Sequence, residues 1–165
     1  MALRNIVIDG DPILRKVSRP VEKFDEKLWE LLDDMEDTML DADGVGIAGP
    51  QVGILRRVAL VNVRDEDDTI ELINPKIISK KGEQTGTEGC LSFPNKWGTV
   101  TRAMEVTVEA QNRKGTWFRL TATELKARAI QHELDHLDGV CFVDVASEVG
   151  DEREDLETIA KDQKK

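Results

Sequence analysis

The only two histidines in this chain of 165 residues lie four positions apart, in the segment His132-Glu133-Leu134-Asp135-His136. Residues four apart on an α-helix lie on the same face, so both imidazole rings can bind one metal ion while Glu133 stands beside them. A metal ion held in this way lowers the pKa of a bound water molecule, and an adjacent carboxylate can accept its proton. The segment therefore predicts a metal site with Glu133 beside its two histidine ligands.

A third protein ligand is needed, because a catalytic metal centre of this kind takes three protein ligands and keeps one position for water. With no further histidine in the chain, the candidates are a downstream carboxylate, such as Glu148 or Glu157, and a cysteine. Context favours Cys90, because Gly89 before it allows close backbone approach and Pro94 ends the segment. Composition alone predicts a buried structural thiol equally well.

A glycine-rich turn over residues 44–51 ends at Gln51. Its Gly-x-Gly-x-x-Gly pattern is a weak phosphate-loop signal, because Pro50 interrupts any helix that begins there and no Lys, Ser or Thr follows to hold phosphate. We interpret the turn as a backbone wall against which an extended peptide can lie. The Gln51 amide is then a neutral donor to a developing oxyanion.

The best-defined element is a helix over roughly 122–138, which carries both histidines. Thr121 and Glu124 form a predicted capping box at its start, and Gly139 stands where a C-terminal cap is wanted. Because this helix is apolar on more than one side, we expect it to lie inside the fold, against a sheet.

The rest of the chain predicts one more amphipathic helix and several strands. Asp25 is a candidate N-cap of a helix that ends near Gly44, preceded by an extended arm up to Pro20. A short C-terminal surface helix is allowed at Leu156, Ile159 and Ala160. The fold class is therefore α+β, with mixed or antiparallel sheets packed around the central buried helix. Strands are predicted at 58–63, 70–73 and 77–78, and a hairpin joins 105–112 to 117–120.

Composition and charge restrict the functional class. With a net charge of −10, the chain is not expected to bind DNA or an anionic membrane surface, because both need clustered Lys and Arg. Its two cysteines are expected to be reduced in a cytosolic compartment, with Cys141 in the core. No targeting segment or membrane-spanning apolar run is evident. We expect one domain over residues 1–147, with 148–165 as its acidic C-terminal helix or tail.

Three ordered motifs resemble those of the peptide deformylase family. They read Gly44-Val45-Gly46-Ile47-Ala48-Gly49-Pro50-Gln51, then Glu88-Gly89-Cys90-Leu91-Ser92, then the segment from Gln131 to His136. The resemblance extends to about residue 145, and the three motifs together are highly specific. The chain departs from the family pattern at Gly49, where alanine is usual and a slightly looser wall follows. It also departs at Trp97, where many relatives carry an arginine that helps to hold the peptide; here Trp97 would stack on the peptide or simply pack.

The resemblance implies removal of the formyl group from the N-terminal formylmethionine of newly synthesised polypeptides, with release of formate. Cys90 and the two histidines would bind one divalent metal ion, typically Fe(II) in the cell and Zn(II), Ni(II) or Co(II) in preparations. A metal-bound water would attack the formyl carbon with Glu133 as general base. The Gln51 side chain and the Leu91 backbone N–H would hold the oxyanion.

The unbranched methionine side chain of the implied substrate needs a narrow apolar slot. Leu125 and Ala129 lie on the helix face of the histidines and are candidates for its wall, with plain core packing as the alternative. The Arg128 stem could line the slot while its head reaches solvent. Glu88 and Arg102 are expected to pair, or Arg102 to be solvated. The candidate substrate-binding residues are Gly44, Val45, Gly46, Glu88, Gly89, Leu125 and Ala129.

Two other functions stay open. A zinc peptidase would use the same helix with a downstream carboxylate as third ligand, and a non-catalytic deformylase-like protein would hold a structural metal, which takes four protein ligands. For a deformylase, the implied partners are N-formylmethionyl peptides and nascent chains, with transient proximity to the ribosome. The expected protein is a monomer in a bacterial cytoplasm.

Overall fold

Two β-sheets and three helices form the fold in a computed structural model of the chain, which describes residues 2–152. Every pairing between the strands is antiparallel, and the predicted α+β class is confirmed. Short 3-10 helices lie at Pro12–Arg15 and Gly49–Val52. The elements are α1 (Glu26–Asp41), β1 (Gly46–Ala48), β2 (Val58–Val61), β3 (Ile70–Lys81), β4 (Gln84–Cys90), β5 (Phe93–Arg102), β6 (Glu105–Gln111), β7 (Trp117–Thr123), α2 (Glu124–Leu137), α3 (Phe142–Val145) and β8 (Glu148–Asp151).

The strands form a five-stranded sheet in the order β1-β2-β3-β6-β7 and a three-stranded sheet in the order β4-β5-β8. The predicted hairpin is confirmed as β6 and β7. Strand β3 is continuous where two short segments were predicted, and its pairing with β6 shifts register between Ile73 and Lys76, around Pro75. Strands β1, β4, β5 and β8 were not predicted. Strand β1 lies in the glycine-rich segment that was interpreted as a turn, and polar residues and glycines break the apolar alternation in the other three.

Helix α2 is the central helix that the sequence predicted. It packs against β1, β2 and β7. Ala127, Ile130 and Leu134 on this helix are buried in one cluster with side chains of the five-stranded sheet. The helix that carries both histidines is therefore fixed by packing against the five-stranded sheet.

The two ends of α2 agree only in part with the prediction. The N-cap is Thr123, without a side-chain capping bond, so the predicted capping box is wrong. Thr121 lies in β7 instead, where its hydroxyl is 2.9 Å from that of Thr107 across the hairpin. At the other end, Gly139 has a φ of +75°, a conformation that glycine adopts without strain, and α2 stops there as predicted.

Helix α1 begins as predicted at Asp25, whose side chain accepts a hydrogen bond of 3.2 Å from the Leu28 backbone N–H. This cap satisfies one of the unpaired donors at the start of a helix. The apolar face of α1 packs on β1 and β2. Its buried apolar residues are Leu28, Leu31, Leu32, Met35 and Met39.

The N-terminal arm ties two of the motif segments together. The Val7 backbone N–H donates to the Gln51 carbonyl at 2.8 Å, and the Asp9 N–H donates to the Ser92 carbonyl at 2.7 Å. The arm thus joins the end of the glycine turn to the segment that follows Cys90.

Asp34 on α1 anchors the start of this arm. It is buried and accepts hydrogen bonds from the Ala2 N–H (2.8 Å) and from Arg4 Nε (3.1 Å). The Ala2 N–H, assisted by Arg4 and opposed by burial, holds the pKa of Asp34 below its ordinary value. Asp34→Asn is expected to lower the free energy of unfolding at pH 7 by about 1–3 kcal/mol, because the charged acceptor of two hydrogen bonds is lost.

This stabilisation by Asp34 depends on pH in a defined direction. Because the folded pKa lies below the unfolded value of about 4, the stabilisation is present above that pH and is lost as the pH falls through the folded pKa. Urea unfolding curves of the wild type and Asp34→Asn should therefore differ at pH 7 and converge in acid. Equal stabilities at pH 7 would show that Asp34 does not anchor the arm.

The last described residues form a strand that the acidic composition did not indicate. Strand β8 pairs with β5, from Glu148 opposite Thr99 to Asp151 opposite Lys96. The predicted C-terminal helix lies outside the described residues. No helix within residues 2–152 is long and apolar enough to cross a lipid bilayer.

Candidate metal centre and active site

Cys90 and the two histidines converge between α2 and the end of β4. Cys90 Sγ lies 3.3 Å from His136 Nε2. One ligand atom from each of Cys90, His132 and His136 lies within 4.8 Å of the other two. A thiolate and two imidazole nitrogens form a donor set that suits zinc or iron, so these residues fit one divalent metal ion.

The other candidate ligands do not join this cluster. Cys141 is fully buried, and burial raises the pKa of its thiol to about 11, which agrees with the predicted place in the core. Glu148 is exposed on β8 and is not part of the group of converging ligand atoms. Glu157 lies outside the described residues.

Glu88 holds His132 in place. Burial alone would raise the pKa of Glu88, but hydrogen bonding to His132 and Arg102 keeps it well below its ordinary range. Since the ionised carboxylate only accepts, His132 Nδ1 donates to Glu88 Oε1 at 2.9 Å and Nε2 is left for a metal. Arg102 donates to both carboxylate oxygens, at 2.9 and 3.0 Å, so the predicted pair forms and Arg102 is buried. The Arg128 head donates to Glu88 as well, and the prediction that it reaches solvent is wrong.

Glu133 lies beside the candidate metal ligands with one carboxylate oxygen unpaired. It is buried, and its Oε1 has no hydrogen-bond partner in the described part of the chain. Burial raises the pKa of Glu133 to about 7. Gly46 on β1 packs directly against it, since a Cβ at Gly46 would lie 2.4 Å from Glu133 Oε2. Glycine at this position therefore leaves the room that the carboxylate occupies.

Gln51 is fixed by contacts at both ends of its amide. Its Oε1 accepts a hydrogen bond of 2.9 Å from the Ala48 N–H, and its Nε2 lies 3.4 Å from Cys90 Sγ and 3.3 Å from Ser92 Oγ. The donor end of the amide therefore points toward Cys90, a candidate metal ligand. No role was predicted for Ser92, and its place at the end of the second motif was the signal that could have indicated one.

A cavity of about 770 Å³ opens beside the candidate metal ligands Cys90 and His132. At its mouth, Val45 and Leu125 are 39% and 50% exposed, so Leu125 is not packed in the core, whereas Ala129 is buried. The Leu91 side chain covers Gly44, where a Cβ would lie 2.8 Å from Leu91 Cδ1. All seven predicted substrate-binding residues border this cavity: Gly44, Val45, Gly46, Glu88, Gly89, Leu125 and Ala129.

The two departures from the family pattern have local structural reasons. The Trp97 ring packs on β8, where a Cβ at Gly150 would lie 2.3 Å from it. At Gly49, a Cβ would lie 2.6 Å from the Ile54 carbonyl oxygen. Glycine at position 49 therefore permits a tight turn, and the expected loosening of the wall stays a prediction.

Comparisons with known proteins agree with this geometry. The sequence profile described as polypeptide deformylase matches residues 3–152. The chain belongs to the polypeptide deformylase family. Peptide deformylase 1 of Bacillus subtilis (strain 168) is 52% identical over 159 residues, which cover 95% of this chain and 99% of that protein.

Solved structures of deformylases share the fold as well. A crystal structure of a peptide deformylase from Legionella pneumophila has a TM-score of 0.85 and 46% identity, and the match covers 88% of this chain and 86% of that one. The structure of the peptide deformylase from Thermotoga maritima also has a TM-score of 0.85, with 39% identity and coverage of 88% and 99%.

Membership in the deformylase family confirms the predicted function and enzyme class. Polypeptide deformylases are hydrolases that remove the N-formyl group from nascent peptides, and they are metalloenzymes. In this deformylase, Cys90, His132 and His136 form the potential metal-binding triad.

Proposed function

We propose that the enzyme holds one divalent metal ion on Cys90, His132 and His136 and uses Glu133 as the general base for deformylation. The observation that carries this proposal is the buried Glu133 carboxylate, which borders the cavity next to the ligands and whose Oε1 is unpartnered within residues 2–152. When bound, the metal ion supplies a Lewis acid that lowers the pKa of water and polarises the formyl carbonyl.

Glu133 moves a proton in both halves of the proposed reaction. Its unpartnered Oε1 accepts the proton of the attacking water as a C–O bond forms at the formyl carbon. Glu133 then gives this proton to the methionine nitrogen while the C–N bond breaks. The products are formate and a peptide with a free α-amino group, so one water is consumed for each formyl group removed.

Gln51 and the Leu91 backbone N–H are proposed to hold the oxyanion that develops on the formyl oxygen. The Gln51 amide is oriented before the substrate arrives, because the Ala48 N–H binds its Oε1 and turns Nε2 toward Cys90. A donor fixed in advance needs no reorganisation during the reaction, which is the condition for effective stabilisation of a transition state.

The peptide is proposed to lie in an extended conformation along β1. This strand is an edge of the five-stranded sheet, so its backbone groups on one side can pair with an added strand. Val45, Leu125 and Ala129 border the cavity with apolar side chains and form the proposed slot for the methionine side chain. The glycines of the first two motifs allow the peptide backbone to approach closely.

Gly46→Ala is expected to lower kcat for a formyl-peptide by about 100-fold, because the new Cβ overlaps the Glu133 carboxylate and must displace it. The measurement is formate release at saturating peptide, with metal content determined on the same sample. Gly53→Ala is the matched control. Gly53 lies just beyond the same turn with nothing within 4 Å of its Cβ position, although its φ is +81°.

Gly53→Ala should therefore cost stability and leave kcat of the folded enzyme unchanged. If Gly46→Ala kept the wild-type kcat, the contact between β1 and Glu133 would have no part in catalysis.

The proposed metal in the cell is Fe(II), with Zn(II), Ni(II) or Co(II) as possible occupants of purified protein. The thiolate ligand is soft and compatible with each of these ions, so the donor set alone does not choose among them. Reconstitution of the metal-free enzyme under nitrogen with one ion at a time tests this. We expect one equivalent per chain in each case and the fastest formate release with Fe(II). Release without metal would contradict the proposed site.

The zinc peptidase alternative loses support. Glu148 is the one candidate carboxylate ligand within the described residues, and it is not part of the group of atoms that converges with the histidines.

We further propose a single domain that acts as a monomer in a bacterial cytoplasm, with transient proximity to the ribosome where nascent chains emerge. Sedimentation of the purified enzyme tests the monomer, and cosedimentation with ribosomes tests the proximity.

A further inference from the structure

Arg128 is a buried cation on α2 that the proposed reaction does not use. Arg128 is only 7% exposed, and it lies one helical turn before His132, on the same face of the helix. Burial of an arginine is costly unless its donors are satisfied, so the contacts of this guanidinium show what keeps it there.

The guanidinium of Arg128 makes three contacts that fix its plane. Nη1 donates to Glu88 Oε2 at 2.6 Å and to the Val100 carbonyl at 3.0 Å, and Nη2 donates to the Gln84 carbonyl at 3.3 Å. Gln84 lies on β4 and Val100 on β5, so Arg128 joins α2 to both strands. The planar guanidinium of arginine has several N–H donors and can make these contacts together, whereas the ammonium group of lysine is a compact point charge.

Glu88 passes this restraint on to a metal ligand. The oxygen that does not bind Arg128 accepts the hydrogen bond from His132 Nδ1 at 2.9 Å. Arg102 also binds Glu88, but its Nη1 is shared with Asp135 at 2.6 Å. Among the residues that the structure describes, Arg128 has Glu88 as its single carboxylate partner.

Gly86 on β4 leaves room for this arrangement. A Cβ at Gly86 would lie 3.3 Å from Arg128 Nη2, which is closer than an ordinary van der Waals contact. The sequence of the strand thus admits the guanidinium beside Glu88.

We propose that Arg128 is a positioning residue, which holds Glu88 and through it the His132 ring in the orientation that leaves Nε2 for the metal. The proposal rests on the metal site proposed above. The hydrogen bonds of Arg128 go to Glu88 and to two backbone carbonyls, so its effect reaches the metal through Glu88.

The rate of metal release tests this role without any peptide. The zinc form of each variant is mixed with an excess of a chromophoric chelator, and the absorbance of the zinc complex is followed. R128M removes the cation and keeps an apolar stem, and we expect its zinc release to be about 10- to 100-fold faster than that of the wild type. R128K keeps the charge without the fork and should fall between the two. R119M, at an exposed position on β7, should release zinc at the wild-type rate.

The visible spectrum of the Co(II) form gives a second readout. Rotation of the His132 ring changes the ligand field, so R128M should shift the absorption bands, and R128K should shift them less. A merely structural residue would lower the thermal midpoint of R128M while zinc release and the Co(II) spectrum of the folded protein stayed unchanged. That result would overturn the proposal. If R128M does not fold, the zinc release and the Co(II) spectrum of R128K provide the same test. A wild type that binds no zinc would instead refute the metal site itself.

Discussion

Glu133→Gln is expected to bind one full equivalent of metal and to release formate about 10²- to 10⁴-fold more slowly than the wild type. The amide preserves the shape of the side chain but cannot accept a proton from water. The proposed metal ligands are other residues, and Glu88, which binds His132, is unchanged in this variant. Metal content is measured by elemental analysis and formate by a coupled dehydrogenase assay on the same preparation.

The control for this variant is Glu109→Gln, at a position on β6 outside the cavity lining. It removes one carboxylate and should change neither metal content nor kcat. If Glu133→Gln turned over formyl-peptide at the wild-type rate, Glu133 would not be the general base. If Glu133→Gln were slow because it had lost its metal, Glu133 would support the ligands instead of moving protons.

Cys90→Ala is expected to lower the affinity for metal by more than about 100-fold and to abolish formate release. Loss of a residue that only orients a metal ligand costs about 10- to 100-fold in metal affinity, and loss of a thiolate ligand removes one of three protein bonds to the ion. Cys90 is half-buried at the end of β4, so loss of its sulfur is expected to leave the fold intact. Equilibrium dialysis with a metal buffer gives the affinity, and circular dichroism checks the fold.

Cys141→Ala is the matched control, since it deletes the other thiol of the chain from a core position. Cys141→Ala should lower the free energy of unfolding and keep the metal.

Glu148→Gln addresses the peptidase alternative, which requires a downstream carboxylate as the third ligand. Full metal retention in Cys90→Ala, together with loss in Glu148→Gln, would replace the proposed triad with a peptidase-type site.

Local sequence pattern was enough to predict the parts of the molecule that depend on neighbours along the chain. Helix α1 begins at the residue expected to cap it, and α2 carries both histidines on one face because their spacing matches a helical turn. The hairpin of β6 and β7 follows from alternation and a turn. The convergence of Cys90 with the histidines needed the family motifs as well, since composition left a core thiol equally plausible.

Features that depend on partners distant in the sequence could not be predicted in this way. Strand β4 alternates threonine and glycine with little apolar character, and pairing with β5 makes it a strand. The Arg128 head is buried because Glu88, 40 positions earlier, accepts its hydrogen bond. Thr121 pairs with Thr107 of β6 and is part of β7, so α2 starts later than its sequence signal indicated.

Product analysis of a formyl-Met-Ala-Ser peptide, incubated with the iron-loaded enzyme under nitrogen, tests the proposed chemistry most directly. We expect one formate and one free methionyl amine for each peptide consumed, with the Met–Ala bond intact. Cleavage of the Met–Ala bond without formate would contradict deformylation and identify a peptidase.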